Sequence, residues 1–380
     1  MDHSEDDRVV RTLGGKRDRS DPRRSEQRDR AIEPATDLPV YAALDLGTNN
    51  CRLLVARPSR RGFMVIDAFS RIIRLGEGVG QTGALSEAAM SRTIDALAVC
   101  ADKMAKRRVE RSRLVATEAC RIASNGVEFL ERVRAKTGLT LEILSHESEA
   151  KLAVSGCAAL LDDRSDLVLV FDIGGGSSEL IWLDLAKRQS SPGRSNGDRV
   201  EVQNCITGWT SLPVGVVTLA EKFGGREVTP HRFEAMVAHV LELMAPFEAS
   251  GKFRERMRTR SAHLLGTSGT VTTVAGIHLG LPRYDRSRVD GCWMLVEQAC
   301  AVTRHLLART YEERVAEPCI GRERADLVLA GCAILEAVVR TWPCEHLRVA
   351  DRGLREGILA SLMAEDGFER GTRSRIGSER

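Results

Sequence analysis

The chain has 380 residues, of which 43% are hydrophobic and 29% are charged, with a formal net charge of +3. Such a length and balance predict a globular protein of two domains, and the charge is too small to indicate general binding to nucleic acid or to a membrane surface. The ten cysteines are scattered without a C-x-x-C pair, which favours free thiols in a reducing cytoplasm over disulfides or a zinc site. We therefore expect a soluble cytoplasmic protein without a signal peptide or a membrane-spanning segment.

Both ends of the chain are polar. Residues 1–38 mix Arg, Asp, Ser and Pro with almost no apolar periodicity, and residues 366–380 are similarly polar and rich in arginine. Such segments cannot bury enough apolar surface to offset the entropy lost on ordering. We expect two disordered tails around a folded region that alternates β-branched runs with helical patterns, as α/β proteins do.

Two segments of the folded region predict the same motif of two strands joined by a tight turn. The first covers residues 40–56 and passes through Asp45 and Gly47, with a third strand near 63–68. The second covers residues 167–183 and passes through Asp172 and Gly174, with a loop over 189–198 and a further strand from Val200. In each copy the first strand ends in Asp, one apolar residue and Gly, which indicates an internal duplication.

Helices follow these motifs. Helix 86–106 should begin at Ser86 as its N-cap, because apolar residues then recur at helical spacing. Further strand-to-helix units are predicted at 113–117, at 141–144 leading into a helix over 148–161, at 263–265 leading into a helix over 271–278, and at 347–349 leading into a helix that starts near Leu354.

The glycine turns point to phosphate chemistry. Glycine after a strand allows positive φ, so that successive backbone N–H groups converge on one anion. This predicts phosphate contacts from Gly47, Thr48 and Asn49 in the first copy and from Gly174, Gly175, Gly176 and Ser177 in the second. The acids at the strand ends, Asp45 and Asp172, are placed to hold Mg²⁺. Either turn alone is equally consistent with an ordinary hairpin; their recurrence favours two turns that clamp one phosphate.

A third glycine loop lies between a predicted strand and a helix. Its residues Gly266, Ser268, Gly269 and Thr270 would bring the amides of a helix N-terminus to a phosphate. Simple helix capping explains this loop equally well when it is taken alone.

Six stretches, in order over residues 40 to 362, resemble those of one enzyme family. They are Ala43–Asn50, Ala116–Asn125, Ile143–Leu152, Phe171–Glu179, Gly266–Thr270 and Asp351–Gly357. The sequence resembles the exopolyphosphatase and guanosine pentaphosphate phosphohydrolase (Ppx/GppA) family of the actin-like ATPase superfamily. The resemblance implies duplicated actin-like (ribonuclease H-like) α/β domains with an interdomain cleft. The chain is too short for the C-terminal helical domain of the long members, so it resembles the short, two-domain form.

The family resemblance also assigns roles to individual residues. It makes Glu149 the general base, although a first-turn glutamate that complements the helix dipole is the commoner reason for such a residue; Glu147 is the second candidate. It matches Arg121 to an arginine that binds the phosphate chain, which suits a guanidinium fork. Glu179 either joins Asp45 and Asp172 at the metal or fixes its turn through hydrogen bonds. Arg52, Arg71 and Arg74 are weaker candidates for the same channel.

These residues lead to a specific functional hypothesis. We expect an exopolyphosphatase that releases orthophosphate from inorganic polyphosphate with Mg²⁺ or Mn²⁺, with conversion of pppGpp to ppGpp as a second or alternative activity. The resemblance implies a homodimer, and we expect neither a nucleic-acid nor a membrane partner. We expect domain I over 39–152 with a helix at about 354–365 packing back onto it, and domain II over 153–353. An actin-like ATP-dependent small-molecule kinase and a non-enzymatic polyphosphate or nucleotide sensor would share the same turns.

Overall fold

The computed structural model describes residues 38–60, 62–162, 164–189 and 199–368. The predicted disordered tails over 1–37 and 369–380, and nearly all of the predicted loop 189–198, lie outside these residues. Within them, none of the helices combines the length and hydrophobicity that crossing a bilayer requires.

The first half of the described chain forms a five-stranded mixed sheet. Its strands, in the spatial order β3-β2-β1-β4-β5, are β1 (Tyr41–Leu46), β2 (Asn50–Ser59), β3 (Gly62–Ile72), β4 (Arg111–Ala116) and β5 (Glu142–Ile143). Five helices follow these strands: α1 (Val79–Thr82), α2 (Glu87–Lys106), α3 (Glu118–Ile122), α4 (Gly126–Thr137) and α5 (His146–Cys157). The predicted N-cap of α2 is confirmed, because the Ser86 hydroxyl accepts a hydrogen bond from the Ala89 amide at 3.2 Å.

The second half forms a six-stranded mixed sheet in the order β10-β11-β9-β6-β7-β8. Its strands are β6 (Leu167–Ile173), β7 (Ser178–Asp184), β8 (Ile206–Leu212), β9 (Ala262–Thr267), β10 (Trp293–Leu295) and β11 (His346–Ala350). Its helices are α6 (Ala186–Gln189), α7 (Arg199–Asn204), α8 (Val216–Phe223), α9 (Pro230–Gly251), α10 (Phe253–Arg256), α11 (Gly269–His278), α12 (Arg286–Val289), α13 (Val296–Leu307), α14 (Tyr311–Ala316), α15 (Val328–Thr341) and α16 (Leu354–Glu365). The central strand β6 is apolar on both faces, since helices cover the sheet on each side.

The two sheets confirm the predicted duplication. Strands β3-β2-β1-β4 of the first sheet and β8-β7-β6-β9 of the second have the same order and the same directions. The register also matches at the strand ends. Asp45 of β1 lies opposite Arg52 of β2, which lies opposite Ser70 of β3. In the same way, Asp172 of β6 lies opposite Glu179 of β7, which lies opposite Ser211 of β8. The fold therefore presents two copies of one turn, with an acid at the carboxyl end of each first strand.

The last described helix, α16, returns to the first sheet. Its residues Ile358 and Leu359 share one buried cluster with Tyr41 and Leu54. Helix α16 also crosses α5 very closely, because a Cβ at Gly357 would lie 2.0 Å from the Leu152 carbonyl oxygen. This packing fixes the position of α5, which carries Glu149.

Two local predictions are wrong. Residues 199–204 form helix α7 and not the start of a strand; its Gln203 side chain donates to the Ser155 hydroxyl of α5 at 2.8 Å, so a tertiary contact overrides the β-propensity of the two valines. The polar tail does not begin at residue 366. Asp366 accepts a hydrogen bond from the Tyr41 hydroxyl at 2.7 Å, and the Phe368 ring packs edge-on against the Tyr41 ring.

Candidate functional site

The turns after β1 and β6 have the same internal hydrogen bond. The Gly47 amide donates to the Asn50 carbonyl at 2.9 Å, and the Gly174 amide donates to the Ser177 carbonyl at 2.9 Å. These two amides are therefore used inside their turns, which corrects the prediction that Gly47 and Gly174 offer backbone N–H groups to a phosphate.

The remaining amides of both turns are free to bind a ligand. The carbonyls are held by the following segments: the Gly76 amide donates to the Thr48 carbonyl at 2.9 Å, and the Val217 amide donates to the Gly175 carbonyl at 2.8 Å. Within the described residues, the amides of Thr48, Asn49, Gly175 and Gly176 donate to no acceptor. In each turn, a backbone carbonyl is thus occupied by a hydrogen bond while the N–H groups remain available, which is the arrangement of an anion-binding nest.

The glycines of the second turn are required by a close approach and not by positive φ. None of the glycines predicted to bind phosphate has a positive φ, so that part of the prediction is wrong. A Cβ at Gly175 would lie 2.9 Å from the Cβ of Thr48 and 3.1 Å from the Asn49 backbone nitrogen. The second turn therefore packs directly against the first, and only glycine allows that distance.

The two turns, with the loop after β9, enclose a cavity of about 130 Å³. Most of the predicted site residues line it. They are Asp45, Gly47, Thr48, Asn49, Glu149, Asp172, Gly174, Gly175, Gly176, Ser177, Glu179, Ser268, Gly269 and Thr270.

The other two predicted site residues, Gly266 and Arg121, lie away from this lining. Gly266 is in β9, where a Cβ would lie 2.5 Å from the Phe171 ring and 2.9 Å from the Val271 methyls, so it serves packing.

The polar wall of the cavity contains buried atoms that form no hydrogen bond with a described residue. Asn49 Oδ1 and Ser268 Oγ are buried and have no hydrogen-bond partner among the described residues, and Ser268 adopts a φ of 110°. A polar ligand or water would satisfy both groups.

An acidic cluster forms one wall of the cavity. Glu149, Glu179 and His146 each offer one ligand atom, and these three atoms lie within 4.8 Å of one another. Burial, followed by repulsion from Glu179, raises the pKa of Glu149 well above its ordinary value. Burial, followed by the charge of Asp172, raises the pKa of Glu179 to about 7. Such a pair binds a proton or a cation readily near neutral pH.

Arg121 holds Glu149 in place. Its Nη2 donates to Glu149 Oε2 at 3.2 Å and to Glu118 Oε2 at 2.8 Å, its Nε donates to Glu118 at 3.0 Å, and its Nη1 donates to the Leu144 carbonyl. The structure thus places this guanidinium among protein acceptors and not on the cavity wall, where the phosphate-binding prediction put it. Glu118 is in α3, Glu149 is in α5 and Leu144 lies just before α5, so Arg121 links α3 to α5 and to the segment that leads into it.

Asp45 and Asp172 are suited to a cation. Both carboxylates line the cavity, and neither accepts a hydrogen bond from a described residue. Burial raises the pKa of Asp45, and it raises the pKa of Asp172 to about 6, while the charge of Arg52 acts against both shifts. Buried acids without donors are stabilised by a hard cation, which takes oxygen ligands.

The predicted metal set is not brought together as one cluster. The hydroxyls of Ser177 and Ser211 hold Glu179 Oε1 at 2.8 Å each, and Glu179 lies with Glu149 and His146. Among the described residues, Asp45, Asp172 and Glu179 form no single group of direct ligands. A Mg²⁺ ion that is held by the carboxylates of Asp45 and Asp172 and keeps several of its water ligands fits this arrangement better than one held directly by three carboxylates.

Comparison with known proteins identifies the family. Residues 54–366 match the model of the Ppx/GppA phosphatase family. The chain belongs to this family. It is 29% identical over 335 residues to a guanosine-5'-triphosphate,3'-diphosphate pyrophosphatase of Aliivibrio fischeri, covering 88% of this chain and 61% of that protein. A protein of the same name from Aeromonas salmonicida is 30% identical over 332 residues, covering 86% of this chain and 60% of that protein. The chain thus spans about three-fifths of the length of these relatives.

Solved structures agree with this assignment. The crystal structure of the Aquifex aeolicus Ppx/GppA family member is 28% identical, has a TM-score of 0.67, and covers 87% of this chain and 99% of that one. An exopolyphosphatase from Cytophaga hutchinsonii is 23% identical, has a TM-score of 0.72, and covers 88% of this chain and all of that one, which shows the fold alone. The fold is therefore the duplicated actin-like α/β fold predicted from the sequence.

Several cavity residues of this Ppx/GppA chain were not among the predicted site residues. Glu118, Thr117, Asn50 and Arg324 all line the cavity. The position of Glu118 two residues after the end of β4 was a signal, because carboxyl ends of neighbouring strands meet at one edge of a sheet. Arg324 gave no such signal, since it comes from a loop far along the chain.

The contacts of Arg121 predict the effect of replacing it. Its charge lowers the pKa of Glu149, so Arg121→Gln should raise that pKa further and move the acid limb of the pH–rate profile of this Ppx/GppA chain to higher pH. If Glu149 is the general base, as the sequence predicts, kcat should fall by about tenfold to 100-fold with a small change in KM, since Arg121 positions this carboxylate. Steady-state kinetics from pH 5 to pH 9 test this. A large increase in KM with an unchanged pH profile would instead make Arg121 a phosphate ligand.

Proposed function

We propose that this chain hydrolyses the terminal phosphoanhydride bond of inorganic polyphosphate and releases orthophosphate, and that it also converts pppGpp to ppGpp. One observation carries the proposal: the Glu149 carboxylate, only 13% exposed, lines a cavity formed by two glycine turns in which the amides of Thr48, Asn49, Gly175 and Gly176 have no acceptor among the described residues. The names of the relatives support the reaction class, because they include pppGpp pyrophosphatases and an exopolyphosphatase.

The proposed reaction needs a positioned water and a held phosphoryl group. The free amides of Thr48, Asn49, Gly175 and Gly176 would bind the terminal phosphoryl oxygens from both sides. Glu149 Oε2 is held by Arg121, and the other oxygen of this carboxylate accepts no hydrogen bond from a described residue, so it can take the proton of the attacking water. The new P–O bond forms as the bridging P–O bond breaks, and the shortened chain leaves with the bridging oxygen.

A divalent cation completes the proposed site. Asp45 and Asp172 would hold it, directly or through water, and Mg²⁺ or Mn²⁺ both suit oxygen ligands. Bound there, the ion would neutralise charge on the phosphate oxygens. Arg52 and Arg324, which also line the cavity, add positive charge on the protein side.

A phosphate-release assay tests the proposal. Purified protein with Mg²⁺ should release orthophosphate from long-chain polyphosphate and from pppGpp, and a chelator should reduce the rate by roughly 100-fold or more until Mg²⁺ is restored. Tight binding of polyphosphate without phosphate release under any metal would indicate a sensor. Formation of ADP from ATP and a small acceptor, with polyphosphate withheld, would indicate a kinase.

The assembly and location of the protein stay predictions. The family resemblance leads us to propose a homodimer that works in the cytoplasm. Sedimentation of the purified protein and fractionation of its host cells are the corresponding measurements.

A further inference from the structure

The turns after β1 and β6 touch each other, and this contact limits only how closely they approach. A Cβ at Gly175 of the second turn would lie 2.9 Å from the Cβ of Thr48 in the first, so the turns cannot move nearer. A phosphoryl group bound from both sides also requires that the turns do not move apart. Contacts outside the turns must therefore oppose their separation.

The segment that follows β3 is fastened to the first turn. The amides of Ile73 and Arg74 both donate to the Asn49 carbonyl, at 2.9 and 3.1 Å. The Gly76 amide donates to the Thr48 carbonyl at 2.9 Å. Arg74 adopts a φ of 48°, which is a costly conformation for a residue with a side chain and persists where the surrounding structure imposes it. This segment therefore follows any movement of the first turn.

Helix α8 fastens a different segment to the second turn. At the start of the helix, the Val217 amide donates to the Gly175 carbonyl at 2.8 Å. Just after its end, Gly225 lies against the backbone of Asp326, because a Cβ at Gly225 would be 1.9 Å from the Asp326 carbonyl oxygen. The helix between these two contacts fixes the position of Asp326 relative to the second turn.

An ion pair joins the two fastened segments. Arg74 Nη1 donates to Asp326 Oδ2 at 2.9 Å, and Arg74 Nη2 donates to Asp326 Oδ1 at 3.1 Å. Arg74 Nη2 also donates to the Glu323 carbonyl at 3.2 Å. A planar pair of this kind fixes direction as well as distance. Arg74 is thus bound to protein acceptors, and not to the phosphate channel for which the sequence made it a weaker candidate.

The region beside this ion pair is not filled by apolar packing. A space of about 210 Å³ lies there, and its walls include Arg74, Asp326 and Asn49. One more polar contact crosses the same region, from the Gly78 amide before α1 to Glu221 Oε1 in α8, at 2.8 Å. Polar contacts, and not a packed core, therefore oppose separation of the turns on this side.

We propose that Arg74 and Asp326 are positioning residues, whose ion pair sets the separation of the two turns and so aligns the phosphoryl group with Glu149. The inference rests on the proposed hydrolysis, in which one phosphoryl group binds between the turns. Neither Arg74 nor Asp326 lines the active-site cavity, so both act through the turns. The Arg74 side chain is 32% exposed and that of Asp326 is 20% exposed, so the pair adds little to overall stability.

Single and double substitutions test this pair. In Arg74→Gln and in Asp326→Asn, we expect kcat/KM for phosphate release from tripolyphosphate to fall about tenfold, because wider turns misplace the phosphoryl group. The double variant should lose no more than either single variant, since the same contact is already absent. Arg74→Lys keeps the charge without the fork and should recover part of the loss. The Tm should change by less than about 3 °C in each variant.

The opposite charges of the two residues separate positioning from direct attraction of the substrate. Arg74→Gln removes a positive charge and Asp326→Asn removes a negative one, so attraction of a polyanion would change in opposite directions in the two variants. A loss in Arg74→Gln combined with a gain in Asp326→Asn would overturn the positioning role. Additive losses in the double variant would overturn it as well.

A similar ion pair between two other helices provides the control. Arg340 of α15 and Glu234 of α9 form two hydrogen bonds of 2.8 and 2.7 Å, and neither lines the active-site cavity, so Arg340→Gln/Glu234→Gln should keep the wild-type kcat/KM.

Hydrogen–deuterium exchange adds a measurement that needs no turnover. The peptides that contain the two turns should exchange faster in Arg74→Gln and in Asp326→Asn than in the control variant, because the turns are no longer held together. Unchanged exchange in these peptides, or an unchanged kcat/KM, overturns the positioning role. If the wild-type protein releases no phosphate, the proposed function fails, while the exchange rates still decide whether the ion pair holds the turns together.

Discussion

Glu149→Gln should lower kcat for phosphate release by roughly 10²- to 10⁴-fold, with a small change in KM, because glutamine cannot accept the proton of the attacking water. The amide has the shape of the carboxylate, so the 3.2 Å contact with Arg121 can persist, and the turns that we propose to bind the phosphate are untouched. Steady-state kinetics on polyphosphate give kcat and KM, and binding of polyphosphate to the inactive variant confirms that the clamp remains.

Glu147 offers a control in the same helix. It is two residues earlier, its side chain is 56% exposed, and it forms an ion pair of 2.6 Å with Lys151. This environment excludes it from the cavity, so Glu147→Gln should keep wild-type kinetics. Full turnover by the Glu149 variant, or a loss confined to the Glu147 variant, would remove Glu149 as the base.

Glu149→Gln should also stabilise the protein. The folded-state pKa values of Glu149 and Glu179 are raised above those of an unfolded chain, so the ionised pair costs stability as pH rises through the folded values. The neutral glutamine removes this cost. Without added metal, the gain in Tm of Glu149→Gln should be largest above about pH 7 and should disappear below the ordinary pKa of glutamate.

The sequence was most informative where one short segment builds a whole feature. The strand, acid and glycine turn around Asp45 and around Asp172 are each contained in about ten residues, so hydrophobic runs and turn residues were enough to predict both hairpins and their duplication. The N-cap at Ser86 likewise depends only on residues that are close to it in the sequence.

Features that depend on distant parts of the chain were missed or explained wrongly. The glycines at 175 and 176 looked like positive-φ residues, whereas the reason for them is their close approach to Thr48, which lies in the turn between β1 and β2, more than a hundred residues away. The family resemblance matched Arg121 to a phosphate-binding arginine; its contacts with Leu144 and Glu149 could not be known before α3 and α5 were placed together. Residues 199–204 followed a contact with α5 and not their own β-propensity.

Gly175→Ala should reduce kcat/KM by roughly 100-fold while the protein stays folded, because a misplacement of about 1 Å in a phosphate clamp is enough to cost that much. The added Cβ would lie 2.9 Å from the Thr48 Cβ and 3.1 Å from the Asn49 nitrogen. The positions of the Thr48 Cβ and the Asn49 nitrogen are fixed by the backbone, so no side-chain rotation can move them away. The overlap is relieved by moving the two turns apart, at a cost of about 1 to 3 kcal/mol in the free energy of unfolding.

Gly80→Ala provides the comparison for this last substitution. Gly80 lies in α1 with a negative φ, and a Cβ there would meet only the Glu221 carboxylate at 3.9 Å, so the variant should keep wild-type activity and stability. Kinetics and thermal unfolding of both variants separate a loss of clamp geometry from a loss of fold. Wild-type kcat/KM in Gly175→Ala would mean that the two turns do not meet around the phosphate during turnover. The amides of Thr48 and Asn49 would then lie too far from those of Gly175 and Gly176 to bind one phosphoryl group from both sides.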